Sequence, residues 1–352
     1  MTASESLVHD RILPAASTAE ELAALAPGKM ARTASSFRLA DYVSIARPDH
    51  WFKNVFMLFG IVLAFFYQPD AVANWNPLLL VWAFLTTCLV ASSNYVINEI
   101  LDAPTDRSHP VKHQRPIPSG RVKLPLAYLE WLVLGAIGLG MAYAVNLPFF
   151  AAAALLWIMG VVYNVRPMRS KDFPYLDVLS ESVNNPLRLA LGWFVVSAVM
   201  IPPMSLIVAY WMAGAFFMAS KRFAEYRSIG DPVRAAAYRS SFRYYDDERL
   251  LISMFFYATA AALFLGVFII RYHLELILSI PLIAGFFSYY LRVSLKPDSP
   301  AQAPEKLYRE KGLMVYLALC IGVFFLLMFV RFNVLYQWFN VTPSELPPLW
   351  EL

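Results

Sequence analysis

Residues 94–120 read NYVINEILDAPTDRSHPVKHQRPIPSG and concentrate polar chemistry directly behind a long apolar run. Asn94, Asn98, Asp102 and Asp106 recur at every fourth position. On a continuing helix they line one face at intervals of about 6 Å. Carboxylate and amide oxygens in such a column suit Mg²⁺, a hard ion that takes oxygen ligands and keeps its other positions for water and substrate phosphates. Pro104 is expected to loosen the column near its end and turn the last carboxylate into the loop. The basic set that follows, Arg107, Lys112, Arg115 and Arg121, suits phosphate, which Arg grips with two parallel hydrogen bonds and Lys binds as a point charge. A polar cluster at the end of a span can be only a solvated loop. The fourfold spacing and the basic run behind it favour metal and phosphate binding.

Two more polar constellations follow. In residues 163–189, Asp177 and Glu181 lie four apart at a helix start, and Asn184, Asn185 and Arg188 continue into apolar sequence. Arg188 falls about 16 Å deeper than Asp177 along a helix, where an arginine must face the bundle interior and be compensated by a carboxylate, such as Glu181, or by a bound anion. Pro186 is expected to break the helix locally and free backbone groups to line a cavity. Lys221, Arg222 and Glu225 cluster at the end of a later span. The rest of 221–249, with Tyr238, Phe242 and Tyr245 among arginines, is expected to lie on the membrane surface as an amphipathic helix.

The elements that position these groups follow from composition. Of 352 residues, 59% are hydrophobic and 15% charged, a balance that excludes an ordinary soluble domain and implies an all-α polytopic membrane protein. Apolar runs fall near 54–68, 78–101, 124–145, 148–164, 177–200, 204–223, 250–270, 274–293 and 313–336. Each approaches the roughly 20 residues a bilayer requires, so nine transmembrane helices are expected, with the termini on opposite sides. If the N-terminus is cytoplasmic, all but three of the 29 basic residues, Arg188, Arg271 and Arg331, fall in cytoplasmic segments. That bias puts the 94–120 loop at the cytoplasmic face of the inner (plasma) membrane. The opposite loops are short and nearly uncharged. The expected organisation is a cytoplasmic tail over 1–45, with a short helix from Ser17 to Leu25, a transmembrane domain over 46–340 and a short tail over 341–352. Cys88 and Cys320 lie in apolar runs and read as packing residues. His109 and His113 match no zinc spacing, and nothing suggests nucleic acid as a partner.

NEILDAPTD, residues 98–106, resembles the N-D-x-x-D-x-x-x-D motif of the UbiA superfamily of intramembrane prenyltransferases. DRSHPVKHQRPIPSG, with RPDHWFKN at 47–54 and KRFAE at 221–225, is more specifically similar to its polyprenyl-phosphate phosphoribosyltransferase branch. The resemblance implies a nine-helix bundle whose active site opens to the cytoplasm. It also implies Asn98, Asp102 and Asp106 as Mg²⁺ ligands, with Asp102 and Asp106 the catalytic pair, and Arg107, Lys112 and Arg115 as phosphate contacts. Lys53, Tyr163, Lys171, Asp177, Glu181, Arg188, Lys221, Arg222 and Glu225 complete the expected substrate-binding set. Glu99 stands where the family carries Asp, and KRFAE replaces the second aspartate-rich motif of prenyl-diphosphate users.

The activity so implied is transfer of phosphoribose from phosphoribosyl pyrophosphate to a polyprenyl phosphate in the bilayer, with Mg²⁺ neutralising the departing diphosphate. Lys112, Arg115, Arg188 and Lys221 would hold the two anionic substrates, and Asp177 and Glu181 would bind ribose hydroxyls or a second ion. Two alternatives stand beside it: a prenyltransferase moving a prenyl group from prenyl diphosphate to an aromatic or lipid acceptor, and a membrane transporter. A homo-oligomer is left open.

Overall fold

A computed structural model describes residues 38–352 apart from 74, 108–110, 303 and 343–348. The expected Ser17–Leu25 helix and His109 lie outside the described residues. In chain order the helices are α1 (Leu39–Ile45), α2 (Met57–Tyr67), α3 (Pro77–Asp106), α4 (Leu124–Tyr143) and α5 (Leu147–Asn164). Then come α6 (Leu176–Ser182), α7 (Asn184–Val196), α8 (Met204–Ile229), α9 (Pro232–Tyr238), α10 (Asp247–Tyr272), α11 (Ile280–Ser294), α12 (Lys311–Met328) and α13 (Asn333–Trp338). Among the described residues no strand forms beyond a single bridge between Met200 and Glu351.

The helix starts follow from local chemistry. The side chains of Asn76 and Asn146 accept from the backbone N–H of Leu78 at 3.0 Å and of Phe149 at 2.8 Å, and a proline occupies the first turn of α3 and of α5. Among the described residues, eight helical segments are long and apolar enough to cross a membrane, where nine were expected. Their outward faces carry residues such as Leu132, Ile137, Phe255, Leu263, Val315 and Leu326, which suit lipid and no aqueous surface. The chain is thus an all-α, multi-pass membrane bundle. The compact unit begins at Arg38, ahead of the boundary expected at residue 46, because Tyr42 and Ile45 of α1 are buried with Val96, Ile97 and Ile100 of α3.

Three expectations change. The run expected over 177–200, with a local break at Pro186, is two separate short helices, α6 and α7, parted at Val183. Pro186 has no N–H to bond the Ser182 carbonyl four residues back, so the ladder is interrupted there. Helix α3, by contrast, runs through Pro104 to Asp106, and the Arg107 N–H closes on the Ala103 carbonyl at 3.1 Å. The last carboxylate therefore stays on the column. Finally, 230–249 does not lie on the membrane as one amphipathic helix. Phe242 and Tyr245 are buried in the cluster of Phe216, Phe223, Leu250, Met254 and Tyr257 between α8 and α10, so the segment folds onto the end of the bundle.

Helices α2 and α7 cross in near backbone contact. A side chain at Gly60 would strike the Leu189 carbonyl oxygen, and one at Gly192 would strike that of Met57. This crossing carries Asn54, just before α2, against Arg188 on α7.

Candidate functional site

The four-residue column survives in three dimensions, but its members differ in what they touch. Asn94 packs against α5: its Nδ2 donates to the Leu156 carbonyl at 2.9 Å, and its side chain fills the space a Cβ at Gly160 would need, while its buried Oδ1 meets no partner among the described residues. Asn98 donates through Nδ2 to Asn164 Oδ1 at 2.6 Å. Asp102 Oδ1 accepts from Lys171 Nζ at 2.6 Å and faces Arg169 at 3.4 Å. Asp106, buried, is bonded by Arg115 at 2.6 Å. Glu99 faces away from this set, is buried, and accepts the Ile117 N–H at 3.2 Å, which fixes the turn after the basic run.

Lys171 ties the column to α5. Its ammonium donates to Asn164 Oδ1 at 2.7 Å as well as to Asp102, and it lies 5.7 Å from the centre of the Tyr163 ring. Burial pushes its pKa down, against the opposing pull of Asp102. Tyr163 then bridges to a second centre, donating to Glu181 at 2.9 Å and accepting from Arg239 at 3.1 Å.

That centre is built on Arg222, which is 2% exposed in its side chain and meets three carboxylates: Asp177 at 3.2 Å, Glu181 at 2.7 Å and Glu225 at 3.1 Å. Asp177, fully buried, also accepts from Tyr245 at 2.7 Å and Ser241 at 3.2 Å and faces Arg239 at 3.3 Å. Its oxygens are taken, so it offers nothing to a ribose or a second ion. Glu181 is shared between Arg222 and Tyr163, so it does not compensate Arg188. Lys221 stands 4.0 Å from Glu225.

Around these centres the cations Lys112, Arg115, Arg169, Lys171, Lys221, Arg222 and Arg239 outnumber by one the carboxylates Asp102, Asp106, Asp172, Asp177, Glu181 and Glu225, a balance suited to a polyanion. Lys112 lies 5.2 Å from the Tyr238 ring centre, which joins the basic run to α9, and burial lowers its pKa. Arg107 follows α3 with its side chain exposed, and Lys53 sits in the 3₁₀ segment Pro48–Phe56 beside Asn54. Arg188 is separate from both centres, with its Nε on Asn54 Oδ1 at 2.9 Å.

Among the described residues no three His, Cys, Asp or Glu side chains converge as a metal cage. The donor set fits a hard ion only with an amide included. Asp102 and Asp106 supply carboxylate oxygens, and Asn98 Oδ1 is engaged by no described residue. Asn164, Arg169 and Arg239 belong to the cluster and were not singled out from the sequence. Asn164 carries a signal, a polar side chain next to Tyr163 at the end of an apolar run. Arg239 looked like one more headgroup-binding arginine.

Residues 56–309 match the UbiA prenyltransferase family. The chain belongs to that family. It is 31% identical over 193 residues to decaprenyl-phosphate phosphoribosyltransferase of Corynebacterium glutamicum, covering 53% of this chain and 55% of that protein. It is 37% identical over 149 residues to the nodulation protein NoeC of Azorhizobium caulinodans, covering 42% and 46%. The UbiA-family chain thus spans about half the length of these curated relatives. The structure of a UbiA homologue from Archaeoglobus fulgidus bound to DMAPP and Mg²⁺ matches with a TM-score of 0.62 at 20% identity, covering 83% of this chain and all of that one. The two share a fold.

Proposed function

We propose that this UbiA-family chain is a Mg²⁺-dependent transferase of the inner membrane that moves phosphoribose from phosphoribosyl pyrophosphate to a polyprenyl phosphate, with its site on the cytoplasmic face. The observation that carries the reading is the end of α8. There Lys221 and Arg222 stand in place of a second carboxylate pair, and Arg222 draws Asp177, Glu181 and Glu225 to itself. A donor bearing a diphosphate and a further phosphate is better matched by one metal set and a surplus of cations than by two metal sets. The similarity to decaprenyl-phosphate phosphoribosyltransferase supports the same branch.

Asn98, Asp102 and Asp106 would hold Mg²⁺, whose charge offsets that of the leaving diphosphate. Lys171 and Arg115 border the Asp102 and Asp106 carboxylates, and with Lys112, whose charge feels both, they would bind phosphate directly. As the bond from the anomeric carbon to the diphosphate breaks, its electron pair leaves with the diphosphate. An anionic oxygen of the lipid phosphate forms the new bond to that carbon, and no proton has to be removed. Cations fixed in place before the reaction favour the charge that builds on the leaving oxygens.

The second reading is a prenyltransferase, favoured by the fold shared with a homologue bound to DMAPP and Mg²⁺. The transporter reading gains nothing from the family. Membranes containing the protein are incubated with labelled phosphoribosyl pyrophosphate and polyprenyl phosphate, with and without Mg²⁺. Label in the lipid fraction only with the metal is expected. Labelled prenyl diphosphate reacting with an acceptor in its place would establish the second reading.

A further inference from the structure

Arg188 is the buried charge that the cluster at the end of the bundle leaves unexplained. It is 8% exposed and is flanked in sequence by the buried Leu187 and Leu189. Its Nε donates to Asn54 Oδ1 at 2.9 Å and its Nη1 to the Asn184 carbonyl at 3.1 Å. Its Nη2 meets no hydrogen-bond partner, and no carboxylate comes within ion-pair distance, among the described residues. Both partners are neutral. A guanidinium keeps its charge at any working pH, and a charge at membrane depth without an opposite charge is costly. The neighbouring carboxylate that the sequence offered, Glu181, is spent on Arg222 and Tyr163.

The surroundings fix this cation in place. Asn54 is itself held, donating to Cys88 Sγ at 3.2 Å, so its oxygen is aimed at Arg188. The close crossing of α2 and α7 at Gly60 and Gly192 holds α7, which carries Arg188, against the helix that directly follows Asn54. One turn before Arg188 on the same helix, the buried Oδ1 of Asn184 has no partner. A fixed donor without a counter-ion, with an unpaired acceptor one turn away, suits an anion that also carries a hydroxyl, as a monoprotonated phosphate monoester does.

Resting on the function proposed above, we infer that Arg188 holds the phosphate of the lipid acceptor inside the bundle. The donor has its cations at the end of the bundle, on Lys112, Arg115 and Lys171. The acceptor is the substrate whose anionic group enters from the bilayer, and Arg188 is the cation set among the apolar spans. Asn54 and Asn184 position it.

The test uses the full chain in zwitterionic lipid nanodiscs. Binding is measured for a polyprenyl phosphate, the matching polyprenol, inorganic phosphate, and phosphoribosyl pyrophosphate with Mg²⁺. Wild type is expected to prefer polyprenyl phosphate to polyprenol by about tenfold or more, the scale of a charged hydrogen bond. Arg188→Gln and Asn54→Asp should both lose that preference while donor binding stays within about twofold. Asn54→Asp supplies the missing counter-ion from within, so it is expected to melt no lower than wild type, which guards against a folding artefact in Arg188→Gln. Undiminished preference for the lipid phosphate in both variants overturns the inference. So does inorganic phosphate competing as well as the lipid, which would mark a soluble anion site. Arg188-dependent lipid-phosphate binding in a protein that transfers no phosphoribose supports the inference and refutes only the proposed donor.

Discussion

The ammonium of Lys171 stands 2.6 Å from Asp102 Oδ1, so the central carboxylate of the column already has a cation beside it. That pair joins the α3 column to the loop after α5, and it sets what each partner contributes. Under the proposed function Asp102 would supply oxygen to a hard ion, and Lys171 would supply a donor to the phosphate that arrives with it. Replacing Asp102 by Asn keeps the shape and removes the charge. Turnover is expected to fall by about 10²–10³-fold, the loss typical of removing one electrostatic group from a site. The bundle should remain inserted and folded, since Asp102 is partly exposed, 26% in its side chain. Steady-state turnover together with a melting curve in detergent checks this, and a variant that works at full rate would remove Asp102 from the site.

Lys112 is expected to set an alkaline limit on donor binding. Burial lowers its pKa in the folded protein below the ordinary lysine value, so it loses its proton earlier than a free lysine as pH rises. Between the two values the unfolded chain holds more protons than the folded one, so this group's contribution to stability rises with pH across that window. Donor affinity moves the opposite way, since neutral Lys112 no longer attracts phosphate. The KM for donor should therefore climb on the alkaline side while the melting temperature does not fall with it. In Lys112→Arg, which stays charged, the climb should disappear. An unchanged pH profile in that variant would assign the limit to another group.

Arg222 is a structural keystone of the second centre as well as a candidate phosphate neighbour. Truncation to Met leaves Asp177, Glu181 and Glu225 without their shared cation, and Asp177 is fully buried. Removing one partner of a buried ion pair costs about 3–5 kcal/mol. The expected outcome is poor yield of folded protein, partly rescued by Lys, which keeps the charge and loses the three-way geometry. Folded yield and melting temperature for the Met and Lys variants decide it. A Met variant as stable as wild type would show that Arg239 alone suffices to hold Asp177.

Much of this was legible in the sequence, for identifiable reasons. Span-length apolar runs and the i, i+4 spacing of Asn98, Asp102 and Asp106 are local patterns, and the helix that carries them formed, extending further than expected at its end. The two prolines had different outcomes: α3 runs on through Pro104, where a turn into the loop was expected, whereas the break expected at Pro186, in the first turn of α7, does part that helix from α6. The partner of Arg188 was beyond reach because it depends on a contact between residues 54 and 188, set by where two glycines let helices touch. Arg239 was missed for a similar reason. Nothing in its neighbourhood says that Phe242 and Tyr245 will be buried and draw it onto Asp177.

The two asparagines of the column provide the sharpest separation of packing from chemistry, because in sequence they look equivalent. Asn94 bonds the Leu156 carbonyl and fills the gap opposite Gly160, so Asn94→Ala opens a void and loses a hydrogen bond. A stability loss of about 1–2 kcal/mol is expected, with turnover per folded molecule near wild type. Asn98 gives only its amide N–H to Asn164, and Asn164 Oδ1 keeps Lys171 as a partner when that bond is removed. Asn98→Ala should therefore melt close to wild type and yet need much more Mg²⁺ to reach half-maximal activity. Metal titrations and melting curves for the two variants test this directly. If Asn94→Ala raises the Mg²⁺ requirement as much as Asn98→Ala does, the metal set extends one turn deeper into α3 than Asn98.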